Sequence, residues 1–110
     1  MEEHKEPISI DVLINDIKAY SPTADIALIR RAYELAEKAH SGQRRVSGEA
    51  YIIHPLHVAK ILTDLHMDDA TVSAALLHDV VEDTIYTNEE MQQMFGEEIA
   101  MLIDGVTNLG

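Results

Sequence analysis

The stretch Ala74-Ala75-Leu76-Leu77-His78-Asp79-Val80-Val81-Glu82-Asp83-Thr84 opens as an apolar helix and ends in a cluster of candidate ligands. His78 and Asp79 are adjacent. Glu82 lies four residues after His78, and Asp83 four after Asp79. Residues three or four apart share one face of a helix. An imidazole and three carboxylates therefore project from one end of a single helix. Taking that many acids out of water without a counter-charge is costly. A divalent cation would supply the counter-charge. The same pattern also fits a solvated acidic helix end, since charged residues usually face water.

Outward from this segment, every apolar pattern has helical spacing. Ser9 caps a first helix whose stripe is Ile10, Leu13, Ile14 and Ile17. Ser21 and Pro22 stand where the N-cap and first residue of a second helix belong. That helix carries Ile26, Ile29, Tyr33, Ala36 and His40 on one face and ends at Gly42. A long polar loop, 42–50, follows. Tyr51-Ile52-Ile53 reads as its buried return, and His54-Pro55 opens a third helix with Val58, Ile61, Leu62 and Leu65 as the buried stripe. Asp68 or Asp69 caps the fourth helix, which ends in the His/Asp/Glu cluster. Thr87-Asn88-Glu89-Glu90 is a capping box opening a short fifth helix that stops at Phe95-Gly96. A sixth begins near Glu97 and buries Ile99, Leu102, Ile103 and Val106. No alternation of period two appears, so the expected fold is all-α: a compact helical bundle of about six helices. Residues 1–8 read as a flexible lead-in. The chain stops just past a strongly apolar helix, as expected of a piece truncated from a longer protein.

Composition narrows the function. At 110 residues the chain forms at most one small domain. One Phe and no Trp leave aliphatic side chains, Ala and Met to fill the core. The absence of Cys rules out disulfides and thiolate zinc sites and suits a reducing cytoplasm. The acidic first residues do not form a signal peptide, and no apolar run reaches membrane-spanning length. A net charge of −12 argues against unaided nucleic-acid binding. The charge is uneven: Arg30, Arg31, Lys38, Arg44 and Arg45 precede the cluster, and no Lys or Arg follows Lys60. An acidic half suits a cation, and a basic loop ahead of it suits a phosphorylated ligand.

His54, His78 and Asp79 offer nitrogen and oxygen without sulfur, a set suited to manganese, iron, zinc or magnesium. His54 starts one helix and the His78-Asp79 pair ends another. Antiparallel packing of the two would bring those ends together. His40, His57 and His66 read as ordinary.

The pattern His54…His78-Asp79 resembles the signature of HD metal-dependent phosphohydrolases. More narrowly, the chain is similar to the hydrolase domain of the RelA/SpoT family, which synthesises and degrades the alarmone (p)ppGpp. The segments carrying the resemblance are Ala39 to Arg45, Ser47-Gly48-Glu49 and Tyr51 to Pro55. They continue with Ala74 to Thr84, Phe95-Gly96 and Asp104-Gly105-Val106-Thr107, in the family's order and spacing. The resemblance implies residues 1–110 are the N-terminal part of such a hydrolase domain. It implies that His54, His78 and Asp79 bind one metal, typically Mn2+, and that Glu82 and Asp83 sit over the metal's water. It implies that Arg45, Ser47 and Tyr51 hold the guanosine nucleotide. The implied reaction converts (p)ppGpp to GDP or GTP and pyrophosphate, beside a synthetase domain of the same parent chain. Two positions depart from the pattern: Val46 replaces a basic or polar residue, and Ala50 a common proline. The family's fourth metal ligand, an aspartate, falls beyond residue 110. Two other readings stand beside this one. One is a non-catalytic nucleotide-sensing module that regulates a synthetase; the other is an HD phosphohydrolase of a different nucleotide.

Overall fold

Short polar side chains set where the helices begin. In the computed structural model, which describes residues 9–40 and 53–109, six helices follow in order. They are α1 (Ile10–Tyr20), α2 (Ile26–Ala39), α3 (Ile53–Asp64), α4 (Asp69–Asp83), α5 (Asn88–Phe95) and α6 (Glu97–Leu109). Ser9 caps α1 by accepting from the Val12 N–H, and Asp68 caps α4 by accepting from the Thr71 N–H at 2.9 Å. Thr87 and Glu90 form the reciprocal capping box of α5. Gly96 takes a φ of +100° between α5 and α6, a backbone conformation that glycine adopts without the steric penalty of a side chain. No strand occurs among the described residues, so the chain is the all-α bundle its patterning predicts. No helix among the described residues is long and apolar enough to cross a membrane.

The helix α4 is the centre of the bundle, packing against α2, α3 and α6. Its Val72, Leu76, Leu77 and Val80 are fully buried. Around them sit Leu13 and Ile17 of α1, Ile29 and Ala32 of α2, Leu56 and Ala59 of α3, Met91 of α5 and Ile103 of α6. Ala32, Ala36, Ala59 and Ala74 are all buried, and such small side chains allow helix axes to approach closely.

Two sequence expectations need correction. The second helix is not capped by Ser21. Ser21 instead closes α1, donating its N–H to Ile17 O, and the chain turns through 21–24 before Asp25 caps α2 by accepting from the Leu28 N–H. Asp25 has a further anchor, since its own N–H donates to Asp69 Oδ2 at 2.6 Å, tying the start of α2 to the start of α4. The second correction concerns α3. Half of its expected stripe of Val58, Ile61, Leu62 and Leu65 faces outward: Ile61 is 58% and Leu65 65% exposed, whereas Leu62 packs against the core. The fully buried residues of the helix are Pro55, Leu56, Ala59 and Thr63. The helix lies against both α1 and α4, and its slimmer face fits between them. The end of α2 is His40, whose N–H bonds back to Ala36 O; Gly42, the polar loop and residues 1–8 lie outside the described residues.

The α3–α4 turn is built on a left-handed residue. His66 has a φ of 59°, and the bonds Met67 N–H to Leu62 O and His66 N–H to Thr63 O complete a Schellman end. Tyr20 stacks on the His66 ring with centroids 4.4 Å apart, and its hydroxyl donates to Met67 O at 2.6 Å. Burial, with Asp16 and Asp68 nearby, raises the Tyr20 pKa above its ordinary value and keeps that hydroxyl a donor.

Candidate metal centre

The C-terminal half of α4 presents two opposed surfaces. Leu76, Leu77 and Val80 anchor it in the core, while His78, Asp79 and Glu82 point out of it. The imidazole lies between the two acids: Nδ1 is 3.1 Å from Asp79 Oδ1, and Nε2 is 3.4 Å from Glu82 Oε2. One ligand atom from each of the three residues can be chosen so that all lie within 4.8 Å of one another. The side chain of Asp79 is only 14% exposed and that of Glu82 40%, so the cluster runs from a recessed carboxylate to one at the rim.

The electrostatics favour a cation. The end of a helix carries the negative pole of its dipole, and α4 ends with acids and no basic residue in its last turn. Nitrogen and oxygen donors at this spacing suit a hard or borderline divalent ion. The residues present therefore fit a single metal, with His78, Asp79 and Glu82 all within reach of it.

A cavity of about 250 Å³ adjoins the cluster. Pro55, Val58 and Leu62 of α3, Ala74, Ala75, His78 and Asp79 of α4, and Leu102 of α6 line it. The first turn of α3, through Pro55, and the His78-Asp79 pair thus face one space. His54 belongs to that first turn, but its side chain lies outside the described residues, as does that of Asp83. Arg45, Ser47 and Tyr51 lie outside them altogether. The cavity was not legible in the sequence. Its apolar walls, Val58 and Leu62, carry the same spacing as a buried stripe, and nothing in a residue pattern separates lining a void from filling a core.

Residues 32–110 match the HD domain family. A protein named GTP pyrophosphokinase rsh from Brucella ovis is 47% identical over 97 residues, covering 88% of this chain and 13% of its own length. A GTP pyrophosphokinase from Myxococcus xanthus is 48% identical over 93 residues, 84% of this chain and 12% of that protein. A probable GTP pyrophosphokinase from Mycobacterium leprae is 48% identical over 100 residues, 91% of this chain and 13% of that protein. The chain thus spans 12–13% of the length of these relatives. It belongs to the HD domain family, and its HD region is of the RelA/SpoT type.

Proposed function

We propose that this HD-domain chain is the hydrolase part of a bifunctional RelA/SpoT-like GTP pyrophosphokinase of the stringent response. Its reaction is removal of the 3′-pyrophosphate of (p)ppGpp, giving GDP or GTP and pyrophosphate. The observation that carries this reading is the His78, Asp79 and Glu82 cluster, with ligand atoms within 4.8 Å of one another. It occurs in a chain whose relatives are named GTP pyrophosphokinases.

In this reading His54, His78 and Asp79 hold a divalent metal, Mn2+ by family resemblance, and a further ligand comes from outside residues 1–110. A bound cation supplies Lewis acidity toward water and phosphoryl oxygen. Glu82 and Asp83 orient the attacking water, and Glu82, at the rim, takes its proton. Water attacks the phosphorus esterified to the ribose 3′ oxygen. The bond from that phosphorus to the ribose oxygen breaks, pyrophosphate leaves, and the 3′ oxygen takes up the proton that Glu82 removed from water. Arg45, with a guanidinium that can pair with phosphate or stack on a base, holds the nucleotide together with Ser47 and Tyr51. The synthetase of the parent protein supplies the opposing activity. Retention of both the His78-Asp79 and the Glu82-Asp83 pairs supports a working hydrolase rather than a purely regulatory module.

The test is hydrolysis of ppGpp by the protein that carries this chain, with Mn2+, against a panel of other nucleotides and cyclic nucleotides. Release of pyrophosphate from ppGpp and not from the panel is the expected result. Binding of ppGpp without turnover would favour a sensing module, and turnover of another nucleotide would reassign the substrate.

A further inference from the structure

The geometry points to Thr84 as a positioning residue for the acidic end of α4, an inference that rests on the hydrolase reading above. Thr84 is the C-cap, with an extended backbone at φ −133° and ψ −176°. Its N–H donates to Val80 O at 3.1 Å, and its hydroxyl donates to the same oxygen at 2.6 Å. The hydroxyl also accepts from the Tyr86 N–H at 3.2 Å. One side chain thus uses both its donor and its acceptor, adding a second bond to a carbonyl that already accepts the Thr84 N–H and satisfying an amide beyond the helix end.

Both anchors are fixed. Val80 is fully buried, and Tyr86 packs against the core. Glu82 and Asp83 lie between Val80 and Thr84 on the turn these bonds close. Helix ends fray and open locally; the hydroxyl ties the last turn of α4 to the Tyr86 amide beyond it, and fraying of this turn would carry Glu82 away from His78. The hydroxyl therefore acts on the chemistry through Glu82, holding its carboxylate one turn from the imidazole. A matched bond exists away from the centre: the Thr63 hydroxyl donates to Lys60 O at 2.8 Å near the end of α3. Thr63 bears on stability without touching the acidic turn, so it separates a positioning effect from a structural one.

The experiment compares Thr84→Val, Thr84→Ser and Thr63→Val in the protein that carries this chain, at matched Mn2+ occupancy. Thr84→Val should lower kcat for ppGpp hydrolysis about tenfold, the order of one lost hydrogen bond, with KM and metal content unchanged. Thr84→Ser should restore kcat. Thr63→Val should lower melting temperature and leave kcat alone. Wild-type kcat in Thr84→Val, or an equal loss in Thr63→Val, overturns the assignment. The 15N shift of His78 Nε2 in the metal-free protein, where no paramagnetic Mn2+ broadens it, provides a reading independent of turnover. It should move in Thr84→Val and not in the other two variants, even if the wild type hydrolyses no ppGpp. An unmoved shift in Thr84→Val also overturns it.

Discussion

His78 Nε2 and Glu82 Oε2 stand 3.4 Å apart across one turn of α4, and the other nitrogen of the same ring faces Asp79 at 3.1 Å. An imidazole held between two carboxylates is a ligand set with its donors already converged. A cation entering it exchanges contacts among the three side chains for bonds to itself, with little of the ordering cost that scattered ligands would impose.

The recessed member, Asp79, should matter most to metal affinity. Asp79→Asn keeps shape but replaces a charged ligand with a neutral amide, a poorer donor to a dication. Metal analysis of the purified variant should show substoichiometric Mn2+ under conditions that load the wild type. His78→Ala should behave likewise. Full occupancy in both would place the metal elsewhere.

Much of this centre was legible from residue order, for a specific reason. The helix period converts the spacing of His78, Asp79 and Glu82 directly into proximity, so no tertiary information is needed. The caps at Ser9 and Thr87, and the α4 cap to within the pair Asp68 and Asp69, were readable in the same way, because each bonds within its own first turn. What escaped the sequence depends on contacts between distant segments. Asp25 displaces Ser21 as the cap of α2 while held by Asp69, far along the chain. Ile61 on α3 and Leu65 just past its end have core-like spacing, yet both are exposed. His66, read as ordinary, adopts a left-handed backbone with its ring stacked on Tyr20. That conformation commonly falls to glycine, and sequence alone does not announce it in a histidine.

The cap on α4 links pH to stability. Hydrogen bonds from the Thr71 hydroxyl and then the Thr71 amide hold the Asp68 carboxyl below its ordinary pKa. A depressed carboxylate stabilises the fold above its unfolded pKa of about 3.9, and that contribution disappears as pH falls through the lower folded value. Asp68→Ala should therefore cost about 1 kcal/mol at neutral pH. Denaturant titrations should show the gap to wild type shrinking below pH ~4. A gap that persists undiminished into strong acid would mean that Asp68 acts through something other than its ionised side chain.

Nucleotide and metal binding should separate by mutation. Arg45 belongs to the basic segment ahead of His54, and His78 and Asp79 lie far along the chain from it. Arg45→Ala should weaken ppGpp binding while leaving Mn2+ content at the wild-type level, read by calorimetry and metal analysis on one preparation. Lost metal with unchanged nucleotide affinity would reverse the assignment. Arg45→Lys should recover only part of the affinity, because an ammonium keeps the charge but loses the planar fork that pairs with phosphate.

The role of Glu82 is the most exacting test, because its position allows two. Its carboxylate lies close enough to His78 to share a cation and exposed enough to meet water. Glu82→Gln preserves size and removes both charge and basicity. If Glu82 takes the proton of the attacking water, the variant should bind Mn2+ and ppGpp as the wild type does. Its turnover should fall by roughly 10²–10⁴-fold, the range of general acid–base assistance. If Glu82 is instead a ligand, metal occupancy should drop along with turnover, and excess Mn2+ should restore part of the rate. If it is a solvated acid, both quantities should stay where they are. Measuring occupancy and kcat on the same sample distinguishes all three, and a slow variant that remains fully loaded with metal is the outcome the proposed mechanism requires.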